Sequence, residues 1–329
     1  MQKITAAITA VGGYVPDFVL SNKVLETMVD TNDEWITSRT GIKERRLLKG
    51  EGLGTSYLAI QAAENLILKS KLDPTTIDVV LMCTATPDLL VASTGVYVAT
   101  QIGAVNAFAY DLQAACSSFL FGMSTAAAYI ESGRYKKVLV IGADKMSSII
   151  DYTDRATCII FGDGAGAALF EANHEGLGLQ DELLRSDGIG REFLKIPAGG
   201  SILPPSQETI DNKQHFVYQD GKTVYKYAVS GMADVAEKIL ERNNLTSDDV
   251  DWLIAHQANK RIIDATSSRI NLPDEKVLIN IEKYGNTTSG TLPLLLHDFE
   301  HKFKKGDTLI FAAFGGGFTW GSIYLKWAY

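Results

Sequence analysis

The second half of this chain repeats the order of secondary structure that is predicted for the first half. Apolar residues recur at helical spacing over residues 59–67, and a polar turn leads from them to the strand-like run 77–82. The same spacing recurs over residues 232–240, and the strand-like run 250–255 follows in the same register. Helix, turn and strand are therefore predicted twice.

Further pairs of segments match in the same order along the two halves. One pair combines a strand with the helix that follows it, one is a strand after a helix, and one is a Gly-rich hairpin. Several matches in one order predict a duplicated β-α-β-α-β-α-β-β unit. The paired segments are residues 107–112 with 277–281, 137–142 with 307–312, and 161–170 with 314–325.

The duplication predicts an α/β chain of two halves, residues 1–174 and 175–329, with a site between them. The first half carries a candidate nucleophile, Cys116, and the second carries a histidine and an asparagine at comparable places. Residues 175–222 have no counterpart in the first half, and their prolines and glycines mark loops. We therefore expect an insertion there, at the start of the second half.

Composition excludes several classes of protein. The net charge of −8 argues against general nucleic-acid binding, and no apolar run reaches the roughly 20 residues of a membrane helix. Three cysteines are too few for a disulfide framework and favour a reducing compartment. Residues 1–16 make a poor signal peptide. We expect a soluble, cytoplasmic protein that binds neither nucleic acid nor membrane.

Cys116 lies between the strand-like run 108–112 and the apolar, helix-like run 117–130. At a helix N-terminus the peptide dipole and free N–H groups favour a thiolate over a thiol, which is what a nucleophile requires. A cysteine that only fills a tight helix start is the commoner explanation for one such residue considered alone.

His256 and Asn286 also follow predicted strands. His256 ends the strand 252–255, and the carboxyl ends of strands are where α/β sites gather. Asn286 follows the predicted strand 278–281, although Gly-Asn alone is more often a turn. Because the duplication puts Cys116 and Asn286 at equivalent helix starts, we expect all three side chains to converge.

The three residue types suit acyl transfer. A thiolate attacks a thioester, and the His and Asn side chains can hold an enolate oxygen. The glycines 315–317 can bring a backbone N–H close to a reacting carbonyl, although a tight hairpin explains them too. A second Gly cluster, residues 162–166, leads into a strand and not a helix, which excludes a dinucleotide fingerprint.

In this order the motifs resemble those of β-ketoacyl-acyl-carrier-protein synthase III, a condensing enzyme of the thiolase superfamily. The resemblance covers nearly the whole chain, and the combination is highly specific. The matching segments are residues 33–36, 39–42, 114–116, 161–166, 256–259, 284–287 and 315–321.

The resemblance implies a thiolase-like fold of five layers, αβαβα, and a homodimer. It implies a Cys116-His256-Asn286 triad that takes an acyl group from acyl-CoA. The acyl group is then condensed with malonyl-acyl carrier protein, with loss of carbon dioxide, to give a 3-oxoacyl-acyl carrier protein that starts fatty-acid synthesis. Acyl-CoA is a substrate, so no cofactor and no metal are expected.

The resemblance also assigns binding residues. Backbone N–H groups of Cys116 and Gly316 would form the oxyanion hole. An indole and a guanidinium are good stacking partners for a base, and a basic patch steers an acidic carrier protein. The implied contacts are Thr31, Trp35, Arg39, Arg155 and Asn259 for CoA, Lys226, Arg261 and Arg269 for the carrier protein, and Val91 for the acyl pocket.

This sequence departs from the family pattern at several positions. Val91 falls where some members have a phenylalanine bordering the acyl pocket across the dimer, so pocket size does not carry over. Lys260 and Tyr225 replace the commoner apolar and Phe residues, and residues 203–205 belong to no assignable motif.

Three other kinds of protein share part of this pattern. A related enzyme of secondary metabolism, making a polyketide, quinolone or pigment precursor, would carry the same triad and take a different starter. A biosynthetic thiolase requires a second catalytic cysteine, but Cys83 and Cys158 lie in no matching Gly-rich context. A non-catalytic carrier-protein-binding subunit would usually lack the nucleophilic cysteine.

Overall fold

A computed structural model describes residues 4–329, and the elements are numbered in chain order within that range. Of the segment 1–16, the first three residues lie outside the described part. The strands are β1 (Thr5–Tyr14), β2 (Val19–Ser21), β3 (Glu44–Arg46), β4 (Val79–Cys83), β5 (Phe108–Leu112), β6 (Lys137–Asp144), β7 (Gly164–Asn173), β8 (Gly178–Ser186), β9 (Leu194–Lys195), β10 (Tyr218–Gln219), β11 (Trp252–Ala255), β12 (Thr308–Gly315) and β13 (Thr319–Lys326).

The helices alternate with these strands, as the periodicity predicts. No helix in the described range is long and apolar enough to cross a membrane. The helices are α1 (Asn22–Leu25), α2 (Asp33–Thr40), α3 (Thr55–Ser70), α4 (Thr94–Gln101), α5 (Ser118–Glu131), α6 (Arg155–Cys158), α7 (Gln207–Asp211), α8 (Gly221–Arg242), α9 (Lys260–Arg269), α10 (Ile281–Tyr284) and α11 (Thr291–Phe299).

Two sheets with the same strand pattern form the centre of the fold. The first has the order β1-β7-β6-β4-β5, and the second has the order β8-β13-β12-β11. In the first, β4 runs parallel to β6, and β7 pairs antiparallel with β6. In the second, β11 runs parallel to β12, and β13 pairs antiparallel with β12. The predicted repetition of strand and helix is present in both sheets.

Helices cover both faces of each sheet and make five layers. The helices α3 and α4 pack on the outer face of the first sheet, and α8 and α9 pack on the outer face of the second. The helices α5 and α11 lie between the sheets. Along β12, Phe311 contributes to the central core and Ile310 to the outer core, the alternation that strand geometry dictates. The predicted αβαβα arrangement is confirmed.

The expected insertion at residues 175–222 is shorter than predicted. Its strand β8 pairs antiparallel with β13 at the edge of the second sheet, as β1 pairs with β7 at the edge of the first. This match cannot be recognised in the sequence, because β1 and β8 occupy equivalent positions in the two sheets but differ in amino-acid composition. The part with no counterpart therefore begins after Ser186, where short strands, α7 and loops follow.

The strand predicted at residues 277–281 does not form. Only one bridge joins its first residue to β11. The buried amide of Gln257 donates to the carbonyl of Leu278 over 3.3 Å and accepts the N–H groups of Asn280 and Ile281, each over 3.1 Å. The Gln257 side chain therefore makes hydrogen bonds with backbone groups that, in a strand, would pair with a neighbouring strand.

Only one of the two predicted Gly-rich hairpins is present. Residues 314–325 contain the tight connection between β12 and β13. Residues 161–170 contribute β7 alone, which pairs with β6 across a long connection that includes α6. Pairing of β7 with β6 still matches pairing of β13 with β12, so the difference lies in the connection and not in the sheet.

Candidate active site

Cys116 lies in the short 3-10 turn Ala115–Ser117 that leads into α5, and only 7% of it is exposed. Burial raises the pKa of its thiol to about 12, and the nearby carboxylate of Asp144 acts in the same direction. The backbone and the side chains of Asn286 and Thr288 lower this pKa only in part. The resting sulfur is thus a thiol, and the expected thiolate is not the resting state.

His256 follows β11 and is 1% exposed. Its N–H donates to the carbonyl of Ala312 over 2.8 Å, which extends the parallel pairing of β11 with β12 by one residue. Nδ1 lies 2.7 Å from Oγ1 of Thr291, and Nε2 is buried with no partner among the described residues. Burial lowers the pKa of the imidazole to about 3, so the ring is neutral.

Asn286 is held by its own backbone. Its N–H donates to the carbonyl of Ile160 over 2.9 Å, and its carbonyl accepts the N–H of Gly162 over 3.0 Å. Its side-chain Oδ1 accepts the N–H of Thr288 over 2.8 Å. Because Oδ1 is occupied in this way, the amide NH₂ group is left to donate to another partner.

The three side chains meet in one cavity. Cys116, His256 and Asn286 all line a cavity of about 450 Å³, whose other end is lined by Trp35 and Arg39. A neighbouring cavity of about 480 Å³ is lined by Cys116 again, together with Gly316, Thr288 and the apolar residues Ile149, Leu194, Ile196 and Val217. Cys116 therefore lines two adjoining cavities, which also share Phe161 and Leu194.

Asp144 joins the two halves behind the site, and no motif in the sequence indicated it. Its buried carboxylate accepts the hydroxyls of Thr84 and Thr86 over 3.0 and 2.9 Å. The other oxygen accepts the N–H and the hydroxyl of Ser289 over 3.0 and 2.5 Å. Since Ser289 lies three residues after Asn286, this carboxylate fixes the segment that carries the asparagine.

The glycines 315–317 form the wall behind the nucleophile. A Cβ added to Gly315 would lie 2.7 Å from the backbone nitrogen of Cys116. A Cβ added to Gly316 would have Leu194 as its nearest neighbour, at an ordinary 3.4 Å. The close approach of two backbones therefore requires glycine at position 315 but not at 316.

Gly315→Ala is expected to lower stability and the rate of acylation of Cys116, because the new methyl group would push against the backbone nitrogen of the nucleophile. Overpacking of this kind costs about 1–3 kcal/mol. Thermal unfolding and intact-protein mass spectrometry measure the two effects. Gly316→Ala is the matched control and should change both far less. Equal effects of the two substitutions would contradict the assigned packing.

At the 450 Å³ cavity, two guanidinium groups lie over the ring of Trp35. Arg39 and Arg155 each place the central carbon of the guanidinium 5.0 Å from the centre of its ring. Asn259 caps α9 and donates from Nδ2 to the carbonyl of Arg39 over 3.0 Å, which ties α2 to α9. Thr31 lies just before α2 and is not among the residues that line either cavity.

Of the three residues expected to form a basic patch, Arg261 lines this cavity, Lys226 and Arg269 do not, and their surroundings differ. Lys226 is exposed on α8, and Arg261 stacks 4.9 Å over the ring of Tyr225. Arg269 is paired with Glu237 over 2.9 Å, which reduces its free charge. The sequence did not single out Lys222, although it lines the cavity beside Tyr225.

Val91 does not touch the acyl chamber of its own chain. Its side chain is fully exposed, and its backbone has a φ of 76°, a strained value for a β-branched residue. Leu89 and Leu90 beside it are also largely exposed. Three consecutive apolar side chains therefore project away from the protein.

Comparisons with known proteins identify relatives of this chain. The family model for 3-oxoacyl-[acyl-carrier-protein] synthase III matches residues 110–188, and the model for its C-terminal part matches residues 240–327. The first match contains Cys116, and the second contains His256 and Asn286.

Relatives match over the full length. The beta-ketoacyl-[acyl-carrier-protein] synthase III of Phocaeicola vulgatus is 57% identical over 329 residues, covering 100% of this chain and 98% of that protein. The crystal structure of 3-oxoacyl-[acyl-carrier-protein] synthase III from Aquifex aeolicus is 38% identical with a TM-score of 0.89, covering 98% and 100%. The priming beta-ketosynthase of the R1128 polyketide biosynthetic pathway is 30% identical with a TM-score of 0.90, covering 98% and 96%. The chain belongs to the beta-ketoacyl-[acyl-carrier-protein] synthase III family.

Proposed function

We propose that this acyltransferase takes an acyl group from acyl-CoA onto Cys116 and condenses it with malonyl-acyl carrier protein. Carbon dioxide leaves in the second step, and the product is a 3-oxoacyl-acyl carrier protein that begins fatty-acid synthesis. One observation carries the proposal: Cys116 lines two adjoining cavities, one of which is also lined by His256 and Asn286.

In the first half-reaction, the sulfur attacks the thioester carbonyl of acyl-CoA. The thiol proton leaves as the carbon–sulfur bond forms, and CoA departs as a thiol when the original thioester bond breaks. The backbone N–H groups of Cys116 and Gly316 are our candidates for the donors that stabilise the tetrahedral oxyanion. The high pKa of the resting thiol means that deprotonation is coupled to substrate binding and attack.

In the second half-reaction, malonyl-acyl carrier protein loses carbon dioxide and leaves an enolate. The Nε2 of His256 and the amide of Asn286 are our candidates for donors to the enolate oxygen. Both groups are buried, so their hydrogen bonds to a developing charge are stronger than in water. The enolate carbon then attacks the acyl carbonyl, the thioester bond to Cys116 breaks as the new carbon–carbon bond is made, and the departing sulfur takes up a proton from water.

The two chambers suit different parts of the substrates. The chamber with Ile149, Leu194, Ile196 and Val217 has an apolar lining suitable for the acyl chain. The chamber that opens beside Trp35 and the arginines suits the polar arm and nucleotide of CoA. We propose that Thr31, Trp35, Arg39, Arg155 and Asn259 contribute to CoA binding.

Trp35→Ala is expected to raise the KM for acyl-CoA about tenfold and to change kcat little, because stacking of a base on an aromatic ring contributes about 1–3 kcal/mol. Steady-state kinetics with acyl-CoA measures the change. An acyl thioester of N-acetylcysteamine lacks the nucleotide and is the control, since its KM should not respond to the substitution. An equal rise with both substrates would contradict stacking on Trp35.

Lys226, Arg261 and Arg269 are our candidates for carrier-protein contacts. They lie on α8 and α9, whose ends border the opening of the CoA chamber. A local positive patch on a chain of net charge −8 attracts an acidic partner to one place. The ion pair with Glu237 makes Arg269 the weakest of the three candidates.

We also propose a homodimer that works in the cytoplasm without a cofactor. The strand β5 forms an open edge of the first sheet, and exposed apolar side chains surround it, among them Tyr97, Val105 and Phe108. Unpaired edges of this kind are suited to pairing with another chain. In such a dimer Val91 would reach the acyl chamber of the partner. The cysteines are free and buried, which suits a reducing compartment.

A second candidate function is chain initiation in secondary metabolism, because the polyketide priming enzyme has the same fold at 30% identity. The higher identity of 57% to a beta-ketoacyl-[acyl-carrier-protein] synthase III favours the fatty-acid function. Competition between acetyl-CoA, longer acyl-CoAs and aromatic acyl-CoAs, followed by intact-protein mass spectrometry, distinguishes them. Preferential loading of an aromatic starter would favour the second candidate.

A further inference from the structure

The two ring nitrogens of His256 have different surroundings. Nδ1 lies 2.7 Å from Oγ1 of Thr291, the first residue of α11. Nε2 is buried with no partner among residues 4–329, and the ring lines the cavity that contains Cys116 and Asn286. One nitrogen is therefore anchored to the protein, and the other is available to a substrate.

The imidazole carries a single hydrogen. Burial lowers its pKa to about 3, so the ring is neutral at neutral pH. In a neutral imidazole one nitrogen donates and the other accepts. Which nitrogen holds the hydrogen is decided by whether the neighbour of Nδ1 donates to it or accepts from it.

The neighbour of Nδ1 is a hydroxyl with one hydrogen and two acceptors within reach. The Oγ1 of Thr291 lies 2.7 Å from Nδ1 and 3.1 Å from the carbonyl of Thr288. That carbonyl already accepts the backbone N–H of Thr291. The shorter contact and the already satisfied carbonyl both direct the hydroxyl hydrogen to Nδ1.

We propose that Thr291 is a positioning residue that donates its hydroxyl to Nδ1 of His256 and so keeps the hydrogen of the ring on Nε2. The proposal rests on the proposed function, in which Nε2 donates to the enolate oxygen formed by decarboxylation. The opposite tautomer would present a lone pair to that oxygen and repel it. Thr291 thus determines whether His256 can act in the second half-reaction.

The location of Thr291 makes this arrangement stable. Thr291 is 2% exposed and begins a helix whose preceding turn is held by Ser289 on the buried carboxylate of Asp144. The strand end that carries His256 is fixed independently by its bond to Ala312. Hydroxyl and imidazole are consequently held from two different elements, and neither can turn away easily.

The test is Thr291→Val, which keeps the shape of the side chain and removes the hydroxyl. Removing an oxyanion donor lowers the rate about 10²- to 10³-fold. Without the Thr291 hydroxyl, His256 would still carry its hydrogen on Nε2 for part of the time, so only part of that loss is expected. The kcat of malonyl decarboxylation should therefore fall about 10- to 100-fold. The KM for malonyl-acyl carrier protein and the rate of acyl loading on Cys116 should change less than threefold. Thr291→Ser should restore decarboxylation.

A spectroscopic measurement makes the test independent of turnover. In protein labelled with ¹⁵N-histidine, the nitrogen shifts of His256 are expected to report a hydrogen on Nε2, with its signals assigned through His256→Ala. Thr291→Val should shift these signals towards a mixture of tautomers. A hydrogen on Nδ1 in the native protein would overturn the proposal even if the enzyme is active. Failure of acyl-CoA to load Cys116 would instead contradict the proposed function.

The matched control is Thr266→Val. Thr266 is also buried in a helix and lines neither cavity, and its hydroxyl donates to the carbonyl of Ile262 over 2.9 Å. Its substitution should leave both half-reactions and the histidine signals unchanged. An equal loss of decarboxylation in the two variants would attribute the effect of Thr291 to general destabilisation and overturn the proposal.

Discussion

Cys116→Ser is expected to abolish acyl labelling of the enzyme by radioactive acyl-CoA. A serine hydroxyl is a much weaker nucleophile than a thiol at neutral pH, and burial, which lowers the pKa of the His256 imidazole to about 3, makes that ring a weak base for activating it. Because condensation requires the acyl-enzyme, loss of acyl transfer to residue 116 also stops condensation completely. Scintillation counting after gel separation, and the mass of the intact protein, measure the labelling.

A second cysteine substitution shows whether loss of labelling is specific to Cys116. Cys158→Ala is the control, because Cys158 is equally buried but packs in a separate apolar cluster with Ile36 and Ile159. That variant should label as the native enzyme does. Undiminished labelling of Cys116→Ser would rule Cys116 out as the nucleophile, and peptide mapping would then locate the true acceptor.

Separate loss of one half-reaction is the expected result of His256→Ala and of Asn286→Ala. Each substitution removes one donor to the enolate oxygen, for which about a 10²- to 10³-fold loss of rate is typical. Malonyl decarboxylation should therefore fall by about that factor in each variant. Acyl loading from acyl-CoA should fall much less, since the proposed oxyanion donors for that step are backbone groups.

Release of labelled carbon dioxide from malonyl-acyl carrier protein and the rate of acyl loading are measured on the same preparations. His301→Ala, at an exposed position after α11, is the control for the loss of a histidine. Equal loss of both half-reactions in His256→Ala would contradict the role assigned to the ring. Retained decarboxylation in Asn286→Ala would remove the carboxamide from the set of donors.

The apolar periodicity of the sequence was sufficient for the layered architecture. Helices and strands with apolar residues at these spacings must bury their apolar face. Two matching sets of such elements therefore predict two matching sheets with helices packed on them. The same regularity is enough to predict Cys116, His256 and Asn286 at the ends of core elements. Edge strands were harder, because β8 is only half buried and lacks the apolar signal of a central strand.

Other features depended on contacts between distant segments. Asp144 and Ser289 are 145 residues apart in the sequence. The Gln257 side chain accepts the backbone N–H of Asn280, more than twenty residues later, in place of a neighbouring strand. Such polar contacts leave no local pattern, since each is made by one side chain and a backbone group brought near only by folding.

The sequence alone determined which residues are available for chemistry: a cysteine, a histidine and an asparagine at the ends of repeated elements. Only the tertiary structure decided their state. Burial makes the Cys116 sulfur a resting thiol and keeps His256 neutral, and Thr291 contacts one ring nitrogen. The physical reason is that protonation and hydrogen-bond direction depend on the whole surroundings of a group, which no segment of the chain specifies by itself.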